Sequence, residues 1–102
     1  MGKLDGKVAL ITGSGRGIGQ SLAFQLASEG ARLVINDLDA EPAHETVAAI
    51  KANGGEAVPC VGSVTAPDFA DRFIRTAVEN YNGIDIIVNN AGILRDTVLW
   101  KM

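Results

Sequence analysis

The stretch Lys7-Val8-Ala9-Leu10-Ile11-Thr12-Gly13-Ser14-Gly15-Arg16-Gly17-Ile18-Gly19 decides the fold. Its first six residues, Lys7 to Thr12, form an apolar, β-branched run that stops at glycines, the signature of a short buried strand. From Gly17 to Glu29 the apolar residues Ile18, Leu22 and Leu26, with Ala23 and Ala27, recur at helical spacing. A strand therefore passes through a glycine turn directly into a helix.

The same alternation continues outward. Gly30 closes the first helix. Arg32 to Asn36 reads as a second strand that ends at Asp37. Asp39 is an expected N-cap, with Pro42 in the first turn and Ala43, Val47 and Ile50 on one helical face. Asn53-Gly54-Gly55 ends that helix, and Glu56 to Val61 follows as a third strand, which Pro59 assigns to an edge or a bulge. Thr65-Ala66-Pro67-Asp68 resembles a capping box for a third helix reaching Tyr81 and stopped by Gly83. That helix carries Phe69, Phe73 and Ala77 in one row and Ala70, Ile74 and Val78 beside it. Ile84 to Asn89 is the fourth strand, and a tail runs from Asn90 to Met102. The order βαβαβαβ predicts an α/β fold, a Rossmann-type doubly wound parallel sheet with right-handed crossovers and strand order 3-2-1-4. On this reading strand four is left as an exposed apolar edge.

Composition agrees with this reading. Of 102 residues, 47% are apolar and only 5% aromatic, with 12 glycines. Such a chain has too much to bury to be disordered. Its core must be built from Val, Ile, Leu and Ala, as in packed parallel sheets. The interior-type content exceeds the usual ~45–50%, which suggests a unit that is part of a larger domain. The net charge of −3 comes without a basic stripe, so no nucleic-acid partner is expected. No apolar run approaches the ~20 residues of a membrane span, and the polar start from Met1 to Lys7 does not read as a secretory leader. Cys60 is the lone cysteine, which excludes an intrachain disulfide and fits a reducing cytoplasm. With His44 the lone histidine, no Cys/His metal site has its ligands.

The glycines have a chemical reading. A sharp turn, close approach of a phosphate to the backbone, and tight helix–sheet packing all favour glycine. N–H groups at the helix start, aided by the helix dipole, then hold a pyrophosphate. A P-loop would need Gly-Lys-Ser/Thr, and no lysine stands here. The spacing is G-x-x-x-G-x-G, at Gly13, Gly17 and Gly19. Asp37 lies 18 residues past Gly19, near the ~20 expected for a carboxylate that accepts ribose hydroxyls. A ligand-free turn, and Asp37 as a helix cap, are the bland alternatives.

The chain resembles the amino-terminal part of the short-chain dehydrogenase/reductase family. Thr12-Gly13-x-x-x-Gly17-x-Gly19 is similar to its cofactor loop, and Asn89-Asn90-Ala91-Gly92 to its N-N-A-G motif after strand four. Within the family it looks like the 3-oxoacyl carrier-protein reductase-like members and the dehydrogenase domain of multifunctional β-oxidation enzymes. The resemblance implies that Gly13, Ser14, Gly15, Arg16, Gly17, Ile18 and Gly19 surround the pyrophosphate and adenosine phosphate region. Asp37 would bind the adenosine ribose, with Leu38 beside the adenine. Asn90, Ala91 and Gly92 would approach the nicotinamide-side ribose, and Asn89 would tie strand four to the sheet. Ser63 and Val64 stand where the family places an Asp and a small aliphatic residue near the adenine, so a charged acceptor is replaced by a hydroxyl. Arg16 suits a 2′-phosphate and Asp37 repels one; the acid is nearer the 2′ position, which favours NAD over NADP.

The family's acid/base pair, Tyr-x-x-x-Lys with an upstream Ser, is missing. Tyr81 is the only tyrosine, and four residues on stands Asp85. Tyr81 instead reads as a cap of the third helix's apolar face, His44 as a solvated residue and Cys60 as a buried one. Arg95, Asp96, Trp100 and Lys101 read as surface residues of the tail. The expectation is the dinucleotide-binding part of an NAD(P)-dependent oxidoreductase acting on a secondary alcohol or ketone, truncated before the catalytic half. No catalytic residue falls within residues 1–102, and the complete protein would be a homo-oligomer. The alternatives are a non-catalytic nucleotide-binding module or relic, and a flavodoxin-like protein.

Overall fold

The computed structural model describes residues 4–15 and 17–89, together with the backbone of residues 97–100. Strands are β1 (Val8–Ile11), β2 (Arg32–Asp37), β3 (Glu56–Val61), β4 (Ile86–Asn89) and β5 (Thr97–Trp100). Helices are α1 (Gly17–Ser28), α2 (Ala40–Ala52) and α3 (Phe69–Tyr81). The sheet order is β3-β2-β1-β4-β5. β1 pairs in parallel with β2 (Leu10 opposite Val34) and with β4 (Leu10 opposite Ile87), and β2 pairs in parallel with β3. The doubly wound order 3-2-1-4 read from the alternation is thus the order found, and β3, which carries Pro59, is an edge strand.

Alternation along the strands sorts the core into two layers. Ala9, Ile11, Leu33 and Ile35 point to the side covered by α1 and α2, where Ala23, Ala43, Val47 and Ile50 meet them. Val8, Leu10 and Val34 point to the other side, where Phe69, Phe73 and Ala77 of α3 close over them. All four β1 residues are buried, so a strand apolar on both faces lies where a central parallel strand must.

Three expectations are corrected. β4 is no edge, because β5 pairs with it antiparallel, Asn89 opposite Thr97 and Ile86 opposite Trp100. The row of N–H and C=O groups on β4 offers a template for any extended segment, and Thr97-Val98-Leu99-Trp100 is β-branched and aromatic enough to use it. Trp100 accordingly belongs to a strand, whereas Arg95, Asp96 and Lys101 lie outside the described residues. Thr65 does not cap α3: Asp68 holds the N-cap position, without a side-chain cap bond, and Thr65 pairs with Ser63 instead. The stop of α3 is Asn82, in left-handed conformation at φ 67°, one residue before the expected Gly83. Asparagine tolerates that conformation better than most non-glycine residues. Asp39 does hold the N-cap position of α2, with extended backbone and no side-chain cap bond. Among the described residues no helix is long and apolar enough to cross a membrane.

Candidate cofactor site

Parallel strands send their carboxyl ends to one side of the sheet, and there the loops after β1, β2 and β3 converge. Gly13 (φ 62°) and Gly17 (φ 64°) take left-handed backbone, which bends the chain out of β1 and into α1. Between them Gly15 is buried against Asp37: a Cβ on residue 15 would stand 2.6 Å from Asp37 Oδ2 and 2.9 Å from its Cβ. Only a residue without a Cβ lets the loop lie this close to the end of β2.

The loop is braced from three directions. The Gly13 N–H donates to Asn36 Oδ1 at 2.9 Å. The Ser14 N–H donates to the Asn36 carbonyl at 2.6 Å. The Ser14 hydroxyl donates to the Ile11 carbonyl (2.7 Å) and accepts the Asn36 N–H (2.9 Å). From α2 the fully buried Thr46 donates its hydroxyl to the Gly15 carbonyl at 3.0 Å, and Gln20 of α1 donates to Thr46 Oγ1 at 3.1 Å. The Thr12 N–H donates to Val88 at 3.0 Å, joining the loop to β4.

The expected site residues divide by exposure. Ser14 and Gly15 are buried, and Gly19 is buried in α1. Gly17 is exposed, and Ile18 is 80% exposed, in a first turn that carries no acidic side chain. Leu38 is also out in solvent, at 66%. Two large apolar side chains held in water beside a glycine loop make an incomplete surface. Asp37 is 3% exposed, and its Oδ1 accepts the Asp39 N–H at 3.1 Å. Ser63 is half-buried and occupied locally, accepting the Thr65 N–H at 3.1 Å. Val64 lines a cleft of about 250 Å³ with Leu10, Thr12, Phe69, Phe73 and Ile87. Arg16, Asn90, Ala91 and Gly92 lie outside the described residues, as does the side chain of Asn89.

Tyr81 sits elsewhere. Its hydroxyl donates to the Leu33 carbonyl at 3.3 Å, near the start of β2, and the Arg32 guanidinium lies 5.9 Å from the ring centre. Burial, with a smaller push from Glu56, raises its pKa to about 12 against the opposing pull of Arg32. It is a half-buried cap of α3, on the sheet's far end from the glycine loop. His44 is exposed and Cys60 is buried, as their neighbours in sequence suggest.

Asn36, Thr46 and Gln20 were not anticipated as site residues. A signal existed for two of them. Asn36 is a polar residue ending an apolar strand, and Thr46 falls in the buried row of α2 with Ala43, Val47 and Ile50. Nothing local to Gln20 distinguishes it.

A doubly wound sheet whose β1–α1 turn is G-x-x-x-G-x-G defines a dinucleotide-binding class. The family model of the short chain dehydrogenases matches residues 7–102, and the chain belongs to that family. It is 44% identical over 103 residues to a 3-oxoacyl-[acyl-carrier-protein] reductase of Synechocystis sp., covering 100% of this chain and 42% of that protein. It is 48% identical to an uncharacterized oxidoreductase of Thermotoga maritima, covering 87% of this chain and 35% of that one. The crystal structure of a short chain dehydrogenase from Mycobacterium avium superposes with a TM-score of 0.85 at 45% identity, covering 93% of this chain and 37% of that one. A hydroxysteroid dehydrogenase from Escherichia coli gives 0.84 at 39% identity, covering 88% and 38%. The chain therefore spans about two fifths of the length of these relatives.

Proposed function

We propose that residues 1–102 are the adenosine- and pyrophosphate-binding part of a single oxidoreductase domain that uses NAD in preference to NADP. The observation that carries this reading is the seating of Gly15 on Asp37, which joins the phosphate loop to the carboxylate at the end of β2. The residues suit a dinucleotide. Gly17, Ile18 and Gly19 open α1, where N–H groups without intrahelical partners and the helix dipole favour a phosphate. Gly13 and Ser14 face inward and hold the loop's shape. Leu38 and Val64 offer apolar surface to an adenine, and Ser63 a hydroxyl. Asp37 accepts ribose hydroxyls and opposes a 2′-phosphate by charge. Arg16 is assigned to the phosphate side, and Asn90, Ala91 and Gly92 to the nicotinamide side.

When bound, the dinucleotide supplies hydride chemistry between its nicotinamide and a secondary alcohol or ketone. These residues bind and orient it. They hold no Tyr-x-x-x-Lys pair to move the substrate proton, since Tyr81 is followed four residues on by Asp85. A second reading is a nucleotide-binding module without turnover of its own. A cytoplasmic location, suited to the lone thiol of Cys60, and a homo-oligomeric complete protein belong to the same proposal. Calorimetric titration of the chain with NADH and NADPH tests it: NADH binding the tighter is expected, and no binding of either removes the reading.

A further inference from the structure

Asn36 is the penultimate residue of β2 and is 1% exposed. Its carboxamide joins two loops that are distant in sequence. Oδ1 accepts the Gly13 N–H at 2.9 Å, while Nδ2 donates to the Cys60 carbonyl at 3.0 Å and to the Gly62 carbonyl at 3.1 Å. The orientation of the amide is forced, because one side meets a donor and the other meets two acceptors. Its backbone adds two bonds to the glycine loop, donating to Ser14 Oγ and accepting the Ser14 N–H. One side chain thus ties the glycine loop directly to the exit of β3, which leads to Ser63 and Val64. No other natural side chain of this length presents an acceptor and two donors in one plane.

We propose that Asn36 is a positioning residue for the dinucleotide. It touches no cofactor atom, and it sets the spacing between the phosphate-binding loop after β1 and the adenine-side segment after β3. The inference rests on the dinucleotide reading above. Asparagine is needed here because both segments must be placed relative to the same ligand, and small misplacements are costly when several groups converge on it. Asn36→Asp is the informative variant: it is isosteric, keeps an acceptor for Gly13, and turns a carboxylate toward the carbonyls of Cys60 and Gly62.

The test is calorimetric titration with NADH of the wild-type chain, Asn36→Asp, and two core variants of α2, Val47→Ala and Ile50→Ala, which lose stability without touching the loop. The expected result is a rise of about tenfold or more in the NADH Kd for Asn36→Asp. The core variants should stay within about twofold of wild type. Asn36→Asp binding within that same margin, or core variants weakened as much, overturns the proposal. If Asn36→Asp does not fold, wild-type NMR decides. Slowed exchange of the Asn36 carboxamide protons, with NADH-induced shifts at both Gly13 and Gly62, supports the proposal. Fast exchange, or shifts at only one of the two, overturns it. A wild type that binds no NADH instead removes the dinucleotide reading itself, so the two failures are told apart.

Discussion

Gly15 and Asp37 are in contact so close that a methyl group on residue 15 would stand 2.6 Å from the Asp37 carboxylate oxygen. The loop after β1 and the tip of β2 therefore behave as one surface, and each residue constrains what the other can be.

Gly15→Ala should be destabilising. The added Cβ also meets Asp37 Cβ at 2.9 Å, so turning the carboxylate away does not relieve the overlap and the loop must lift. Overpacking of this kind costs about 1–3 kcal/mol. Denaturant unfolding monitored by circular dichroism should show the loss, and an unchanged midpoint would mean that the loop is not seated on Asp37.

Asp37→Ala should weaken NADH binding and relax the discrimination against NADPH. On the proposed reading the removed carboxylate is both acceptor for the diol and repeller of the 2′-phosphate. Losing a charge-assisted hydrogen bond corresponds to about 1.5–3 kcal/mol. Titration of both cofactors checks this, and an unchanged affinity ratio would take Asp37 out of the site.

Tyr81 gives the chain a pH dependence at the alkaline end. Its folded pKa, about 12, lies above the ordinary tyrosine value of 10.0. Between those values the unfolded chain has lost the phenolic proton and the folded chain keeps it, so stability falls as pH rises. The contribution is fully present below pH 10.0 and is lost through about pH 12. Tyr81→Phe should be less stable than wild type near neutrality, through loss of the bond to the Leu33 carbonyl, and should show a shallower decline across that window. Parallel slopes for the two proteins would contradict the assignment.

The 102-residue chain should bind dinucleotide without dehydrogenase turnover. It holds one tyrosine, and that hydroxyl is engaged at the start of β2, away from the carboxyl ends of the strands. NADH oxidation assayed with ketones and 3-oxoacyl thioesters should stay at the background rate. Steady turnover would place an acid/base group among residues 1–102 that the pattern does not reveal.

Much of the molecule is written locally. The uninterrupted apolar run of Val8–Ile11, the helical rows of α1 and α3, and the glycine stops are short-range patterns, and each element follows from a few neighbouring residues. The parallel order 3-2-1-4 follows in turn, because alternating strands and helices with right-handed crossovers leave few other arrangements. The loop motif and Asp37 were legible for the same reason, since spacing along the chain stands in for position in the fold. Tertiary structure alone decided the contacts between residues far apart in sequence. The Gly15–Asp37 seating, the bridge from Asn36 to Gly13, Cys60 and Gly62, and the reach of Thr46 to the Gly15 carbonyl each join separate elements. The pairing of β5 with β4 is of the same kind. A polar side chain declares its purpose only when the group it satisfies is in view, and a strand declares its partner only when the free edge beside it is known.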